Sequence, residues 1–365
     1  MNRLSKVWAS TRPFRPVLLV VIVLVILFSV WLPAFRTSLN IQNIFTSVAV
    51  LWLASMGMTF VLISGGFDLS LGAIATFCGI FLGVLLEDTA IPGWLAVVFT
   101  ILMGGFVGGV LNGIFVGIFR LSVFVVTLAS MTILTGIVLV WTKSASIYVT
   151  DPIAGHLAVS RLGGIQVPIY IMAVVFIIFL FVQNRTYFGR DIFATGGSYT
   201  AARLSGIRTE RTLISVYAVA GACAGLGGVI AVGRVGAATP VVDAGLALQA
   251  VAAVLIGGTL LTGGSGSVVG TAFGCLFIGI LQNGLNLAGV GSDWQYVVTG
   301  VILLMAVLAG GFQASRAGRL AQLRQMISRQ EKAGAPACNP ALPPESGSET
   351  LDMGKIKERD GGMDR

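Results

Sequence analysis

The chain has 365 residues, of which 56% are hydrophobic and only 10% are charged. A soluble domain carries about 25% charged residues and needs a polar exterior that this composition does not supply. A soluble enzyme and a nucleic-acid-binding protein are therefore excluded, and the formal charge of +8 bears on membrane topology instead. We predict an all-α polytopic membrane protein embedded in a lipid bilayer.

Ten apolar stretches approach the ~20 residues that a helix needs to cross a bilayer core of ~30 Å. Several of these stretches are broken by glycine residues. In chain order the predicted spans are 16–35, 42–64, 69–86, 94–118, 123–142, 167–182, 212–232, 248–261, 268–287 and 294–312.

The Lys and Arg residues between the spans predict the orientation, because cytoplasmic loops carry an excess of them. With a cytoplasmic N-terminus, 19 of the 23 Lys and Arg residues lie on the inner side. The other four are Arg36, Lys143, Arg161 and Arg234. We therefore expect both termini in the cytoplasm, with residues 1–312 forming the transmembrane domain. Residues 313–365 are predicted to be a cytoplasmic tail, disordered in part because of its Pro, Gly, Ser and charged content.

Two segments, 63–72 and 256–267, concentrate glycine and polar residues inside apolar sequence. Non-helical backbone at membrane depth is tolerated only where protein or a wet cavity surrounds it, so these segments indicate a translocation site. They fit equally well as tight cytoplasmic turns between neighbouring helices, with Asp68 as an N-cap. The sequence leaves both interpretations open.

The motifs of ATP hydrolysis and of acyl-transfer catalysis are absent from the sequence. It contains no G-x-x-x-x-G-K-[ST] phosphate loop, and its single histidine, His156, lies outside the spans. We expect no enzymatic activity and no cofactor bound by this chain. Uphill transport would then draw its energy from another subunit.

The acidic residues near the spans lie at span ends and not in mid-helix. This position disfavours transport driven by a proton or sodium gradient, which uses ionisable residues inside the membrane. Backbone carbonyls also hold sodium, so an ion-coupled secondary transporter of a small polar solute is the alternative function. The residues concerned are Asp68, Glu87, Asp88, Asp243 and Asp293.

Neutral polar side chains within the spans suggest a path for a polyhydroxyl solute, because amides both donate and accept hydrogen bonds. Any single one of them more often bonds a neighbouring helix. The predicted path residues are Asp68, Ser70, Asn112, Thr127, Gln282, Asn283 and Asn286.

The stretch 185–211 is predicted to lie on the cytoplasmic side and to contain a short helix. Ser198 suits its N-cap and Gly206 its stop. Small Ala201 and Ala202 beside Leu204 would form a compact knob that a partner groove accepts. The alternative is an ordinary basic loop.

The run from Phe188 to Ile207 resembles the cytoplasmic coupling loop of sugar permeases of the ABC importer class, the ribose/xylose/arabinose/galactose group. Residues 63–73, 252–268 and 282–287 resemble further signatures of that family, and the similarity extends from about residue 40 to residue 312.

This resemblance implies a permease subunit for a monosaccharide, a pentose or hexose, in the bacterial inner membrane. Two copies, or this chain with a related one, would form the pore. A periplasmic sugar-binding protein would deliver the solute, and a cytoplasmic ABC ATPase would use the ATP. The residues expected to couple to the ATPase are Gly189, Arg190, Gly196, Gly197, Ala201, Ala202, Arg203, Leu204 and Gly206.

Overall fold

The computed structural model describes residues 15–241, 244–291, 294–295, 297–302, 304–305 and 308. The predicted tail 313–365 and the end of the last predicted span lie outside these residues. The described helices are α1 (Arg15–Trp31), α2 (Ser38–Ser47), α3 (Ala49–Ile63), α4 (Leu71–Asp88), α5 (Gly93–Val107), α6 (Phe115–Gly117), α7 (Val123–Thr142), α8 (Pro152–Val159), α9 (Val167–Arg185), α10 (Tyr187–Gly197), α11 (Tyr199–Leu204), α12 (Thr209–Val235), α13 (Ala244–Ile256) and α14 (Val268–Leu287).

Shorter elements complete this architecture. A 3₁₀ turn occupies Pro33–Arg36, and a π-helical segment, Gly108–Ile114, joins α5 to α6. Among the described residues, four two-residue strands form two antiparallel pairs. The strands are β1 (Ile147–Tyr148) with β4 (Ala237–Ala238), and β2 (Arg161–Leu162) with β3 (Ile165–Gln166).

Within the described residues, six helical segments are long and apolar enough to cross a bilayer. They are α4, the continuous stretch Gly93–Gly117, α7, α9, α12 and α14. Helices α2 and α3 together make a seventh candidate, and α1 and α13 are shorter apolar helices. The prediction of an all-α polytopic membrane protein is confirmed, whereas the count of ten spans and the orientation stay predictions.

The predicted span 42–64 is not one straight helix, because α2 and α3 meet at a bend of 44°. The hydroxyl of Thr46 donates to the carbonyl of Gln42, and that of Ser47 to the carbonyl of Ile44. Hydroxyls that bond back to the preceding turn bend helices.

The predicted span 248–261 is wrong at both ends, since α13 begins at Ala244 and stops at Ile256. Gly258 adopts a φ of 89°, and the N–H groups of Gly258 and Thr259 return to the carbonyls of Leu255 and Val254. This bonding pattern is a Schellman motif, which ends a helix at glycine.

Helix α12 lies at the centre of the fold and packs against α3, α4, α5 and α8. It approaches α5 through glycines spaced four residues apart on both helices: Gly104 and Gly108 on α5 and the π segment, and Gly221 and Gly225 on α12. A methyl group on Gly221 would overlap the carbonyl of Gly104. Small residues at this spacing are typical of helix pairs in membranes.

The turns gather at two ends of the bundle. At the end that we call the loop end, the turns 64–70 and 257–267 meet α10, and the N–H of Gly264 donates to the carbonyl of Ile63 at 2.8 Å. At the opposite, hairpin end, β1 pairs with β4, and the N–H of Thr150 donates to Glu87 at 2.6 Å. Helix α9 runs between the two ends.

Candidate functional site

A cavity of about 300 Å³ opens among α3, α4, α12 and α13. Its walls include one face of α4 from Gly72 to Gly79 and the last turns of α12 near the hairpin end. This volume is at the lower end of the range for small-molecule sites. The cavity therefore suits a compact solute.

The polar groups of this cavity come from separate elements and are mostly neutral. Gln249 of α13 and Gln282 of α14 are half-buried, and Arg234 supplies the one charge among the cavity's described residues. The remaining polar lining residues are Ser47, Thr76 and Thr239. Amides and hydroxyls both donate and accept, which suits a solute with hydroxyl groups.

Gln282 is the one predicted path residue among the seven that lines this cavity. Asn283 instead exchanges two hydrogen bonds with Asn40 of α2, at 2.9 and 3.0 Å. Thr127 is buried and its hydroxyl contacts the carbonyl of Phe124, while Asn286 is exposed in the last turn of α14. Asn283 therefore bonds a neighbouring helix, which was the alternative to a place on the solute path.

Asp68, Ser70 and Asn112 form one fully buried cluster between the turn 64–70 and the π segment. Asp68 Oδ1 accepts the backbone N–H of Ser70 at 2.8 Å and its hydroxyl at 2.6 Å. The Asn112 amide donates to the Ser70 hydroxyl at 2.8 Å and to Asp68 Oδ2 at 3.2 Å. Single π-helical turns often occur at functional sites.

The interpretation of Asp68 as the N-cap is wrong by two residues. Ser70 occupies the N-cap of α4, and the Asp68 carboxylate holds the backbone of Ser70 in place. Burial raises the pKa of the Asp68 carboxyl to about 6, against the lowering effect of the hydrogen bonds from Ser70 and Asn112.

The two glycine-rich segments meet each other and α10 in a junction of main-chain contacts. Gly65 and Gly263 have φ values of 81° and 78° and face each other. A methyl group on Gly196 of α10 would overlap the carbonyl of Ile63, and one on Gly264 would come within 2.7 Å of the backbone of Gly197. Side chains would not fit here, which explains the glycines. The structure therefore gives both segments the geometry of turns at the loop end.

The predicted short helix within 185–211 is confirmed as α11. The Ser198 side chain accepts the N–H of Ala201 at 3.3 Å, and Gly206 has a φ of 86°. The N–H groups of Gly206 and Ile207 return to the carbonyls of Arg203 and Ala202, which is a second Schellman motif. The preceding helix α10, whose N-cap is Thr186, was not predicted.

The exposed surface of α11 differs from the predicted knob at one position. Ala202 is buried, so its side chain packs against the bundle and is not available to a partner. Leu204 is 84% exposed, and Ala201 and Arg203 are exposed beside it. An apolar side chain held out at the end of a capped helix is a suitable anchor for a partner protein.

A polar cluster at the loop end fixes the position of α11. The Tyr199 hydroxyl donates to Glu210 of α12 at 3.1 Å, and Arg203 lies 3.5 Å from the same carboxylate. Arg120, from the turn between α6 and α7, donates to the Tyr199 hydroxyl at 3.0 Å. Such exposed ion pairs contribute little stability individually, but together they orient the loop.

A bundle of membrane-spanning helices with a cavity among them, and a capped, exposed helix at the loop end, fits a transport protein. The profile of the family described as "Branched-chain amino acid transport system / permease component" matches residues 40–307. The chain belongs to this family of permease components, which confirms the prediction of a transport subunit and not an enzyme.

Curated relatives cover most of the chain. It is 36% identical over 308 residues to the ribose import permease of Escherichia coli K12, covering 83% of this chain and 94% of the relative. The corresponding protein of Bacillus subtilis 168 is 38% identical over 297 residues, with coverages of 78% and 89%. The D-allose transport system permease of E. coli K12 is 35% identical over 273 residues, with coverages of 75% and 83%. No solved structure matches the chain.

Proposed function

We propose that this chain is the membrane-spanning subunit of an ATP-driven importer that moves a monosaccharide across the bacterial inner membrane. The observation that carries the proposal is the similarity, over most of the chain, to permeases named for ribose and D-allose. The relatives named for sugars decide between a sugar and the branched-chain amino acids of the family description. The five neutral polar side chains of the cavity offer donors and acceptors to the hydroxyl groups of a sugar.

The proposed importer contains three further components. A second copy or a related permease completes the pore, a periplasmic sugar-binding protein delivers the solute, and a cytoplasmic ABC ATPase binds the exposed surface of α11. The ATPase changes the relative stability of outward-open and inward-open states, which moves the solute.

Uptake by intact cells tests the substrate class. We expect a strain that lacks this chain to lose uptake of one radiolabelled pentose or hexose, with ribose and allose tested first, and to retain leucine uptake. Loss of leucine uptake alone would contradict the sugar proposal. Accumulation of solute by liposomes that contain only this chain would instead support the ion-coupled alternative.

The cavity predicts which polar residue contacts the solute. Gln249→Ala removes a cavity amide and is expected to raise the KM for uptake about two- to tenfold, the effect of losing one hydrogen bond. Asn286→Ala removes an exposed amide that does not line the cavity and serves as the matched control. Equal KM values for the two variants would contradict this assignment.

Reporter fusions test the proposed topology of ten spans with both termini in the cytoplasm. Pro152 begins α8 at the hairpin end, and Thr200 lies in α11 at the loop end. We expect a phosphatase that is active only in the periplasm to report at 152 and to be silent at 200. A cytoplasmic fluorescent reporter should give the reverse pattern.

The exposed position of Leu204 on α11 predicts that its replacement weakens ATPase binding and leaves the fold intact. Leu204→Gln keeps a good helix former but replaces the apolar side chain. We expect co-purification of the ATPase to fall at least about tenfold, because burying a leucine side chain at an interface contributes about 1.5–3 kcal/mol. Leu162→Gln, at an exposed position of the hairpin end, is the control and should bind normally.

A further inference from the structure

Gln183 links the loop end of the bundle to a helix of the cavity. Its side-chain Oε1 accepts the backbone N–H of Val268 at 2.8 Å. Val268 is fully buried and is the first residue of α14. The first N–H groups of a helix have no partner within the helix, and the helix dipole favours an acceptor there. The Gln183 amide therefore fixes the beginning of α14.

Helix α10 lies directly on the turn of α9 that carries Gln183. A methyl group on Gly189 of α10 would overlap the carbonyls of Val182 and Gln183. Between the two helices, the Thr186 hydroxyl donates to the carbonyl of Val182 at 2.7 Å and accepts the N–H of Gly189 at 3.0 Å. Because main chain meets main chain, a displacement of α10 must also displace the end of α9.

Helix α14 extends from this contact to the cavity. It is continuous from Val268 to Leu287, and Gln282 lines the cavity. At 1.5 Å per residue, Gln282 lies about 21 Å along the helix axis from Val268. A movement imposed on the first turn of α14 therefore reaches the cavity as a shift of Gln282.

We propose that Gln183 is a positioning residue that transmits movement of α10 to α14, and through α14 to Gln282 in the cavity. This proposal rests on the proposed function, because the movement of α10 is driven by the ATPase. Without the Gln183 side chain, the described residues connect α10 to the start of α14 only through the junction of Gly196 and Gly264, so α14 follows α10 less closely. The rate of ATP hydrolysis is then maintained while the rate of solute transport falls.

The ratio of ATP hydrolysed to solute transported tests this proposal in proteoliposomes that contain the complete importer, with radiolabelled ribose as the solute. Gln183→Leu is expected to raise the ratio roughly three- to tenfold, the effect of one hydrogen bond on an equilibrium between two conformations. Gln183→Glu keeps an acceptor oxygen at the helix terminus and should restore a ratio near that of the unmodified importer.

The control is Asn184→Ala, one residue further along α9. Asn184 is exposed and donates to the carbonyl of Leu180 in its own helix at 2.9 Å. Its removal should leave the ratio unchanged. A purely structural role for Gln183 would lower ATP hydrolysis and uptake together and leave the ratio unchanged, which would overturn the proposal. An equal defect in Gln183→Glu and Gln183→Leu would also overturn it.

A second measurement needs no solute and is normalised to the amount of chain in the membrane. A cysteine introduced by Gln282→Cys is labelled with a membrane-impermeant maleimide, with and without ATP and Mg²⁺. We expect ATP to change the labelling rate in the presence of Gln183 and to change it at least about threefold less in combination with Gln183→Leu. An ATP-dependent change of equal size in both backgrounds, or none in either, would overturn the proposal. Failure of ribose uptake with intact ATP-dependent labelling would count against the substrate and not against Gln183.

Discussion

Gly196→Ala is expected to reduce ATP-driven uptake at least about tenfold while the chain still inserts into the membrane. The added methyl group would overlap the carbonyl of Ile63 and come within 2.7 Å of the N–H of Gly264. These two groups are hydrogen-bonded to each other at 2.8 Å, so the methyl group would wedge open the junction at its centre. Main-chain atoms cannot rotate away as side chains do, and overpacking of this kind costs about 1–3 kcal/mol.

Gly136 of α7 provides the control for this prediction, because it lies outside the residues expected to couple to the ATPase. A methyl group on Gly136 would meet nothing within 4 Å, so Gly136→Ala makes the same chemical change in open space. We expect this variant to transport normally. Uptake and ATPase co-purification, measured for both variants at equal expression, separate the effects. Normal uptake by Gly196→Ala would show that the junction does not transmit the movement of α10.

The features that were predicted correctly depend on short-range chemistry. The serine at 198 and the glycine at 206 specify the two ends of α11 through hydrogen bonds within a few residues of chain. The apolar stretches predict most of the long helices because every backbone polar group in a bilayer must be satisfied within the segment. Both signals can be found without knowing where any distant residue lies.

The features that were missed depend on contacts between distant segments. Gln249 is a single amide in an apolar stretch, and only the packing of α13 against α3 and α4 brings it to the cavity with Arg234. The junction of Gly65, Gly196 and Gly263 likewise joins three segments that are far apart in sequence. Composition shows that these residues are unusual, but not that they meet.

Ala202 illustrates a different limit of the sequence. The helix was predicted correctly, yet the face that it buries depends on how α11 lies on α12. Alanine is small enough either to pack inside the bundle or to enter a groove of a partner protein. The residue type alone therefore does not distinguish these two roles. The exposed Leu204 carries the clearer signal once the orientation of the helix is known.

A pH-dependent change in stability is the second large effect, and it is expected from Asp68. The carboxyl has an ordinary pKa of 3.8 in the unfolded chain, and burial raises the pKa to about 6 in the folded protein. Between these values the folded chain retains a proton that the unfolded chain has released. The free energy of unfolding therefore falls as the pH rises through this window, by up to about 1.4 kcal/mol per pH unit, and the loss is complete above about pH 6.

Asp68→Asn removes this titration and keeps the size of the side chain. The unfolding temperature of each protein is measured in the same detergent at about pH 4 and about pH 7, and the difference between the two proteins cancels all other titrating groups. We expect the unmodified chain to lose stability relative to the variant as the pH rises. A difference that does not change with pH would contradict the prediction. Asp88→Asn, at an exposed position near the end of α4, measures the effect of the lost charge alone.

The same variant separates the stability of the buried cluster from its role in transport. At neutral pH the Asp68→Asn amide places a donor opposite the Asn112 amide, where the carboxylate had accepted a hydrogen bond at 3.2 Å. The substitution therefore removes one hydrogen bond between the turn 64–70 and the π segment. It also removes a buried charge, which by itself stabilises the fold. Helix α4 begins at this turn and presents Gly72 and Thr76 to the cavity. We expect uptake to fall at pH 7 although the fold is at least as stable, since the carboxylate holds α4 in register with the π segment.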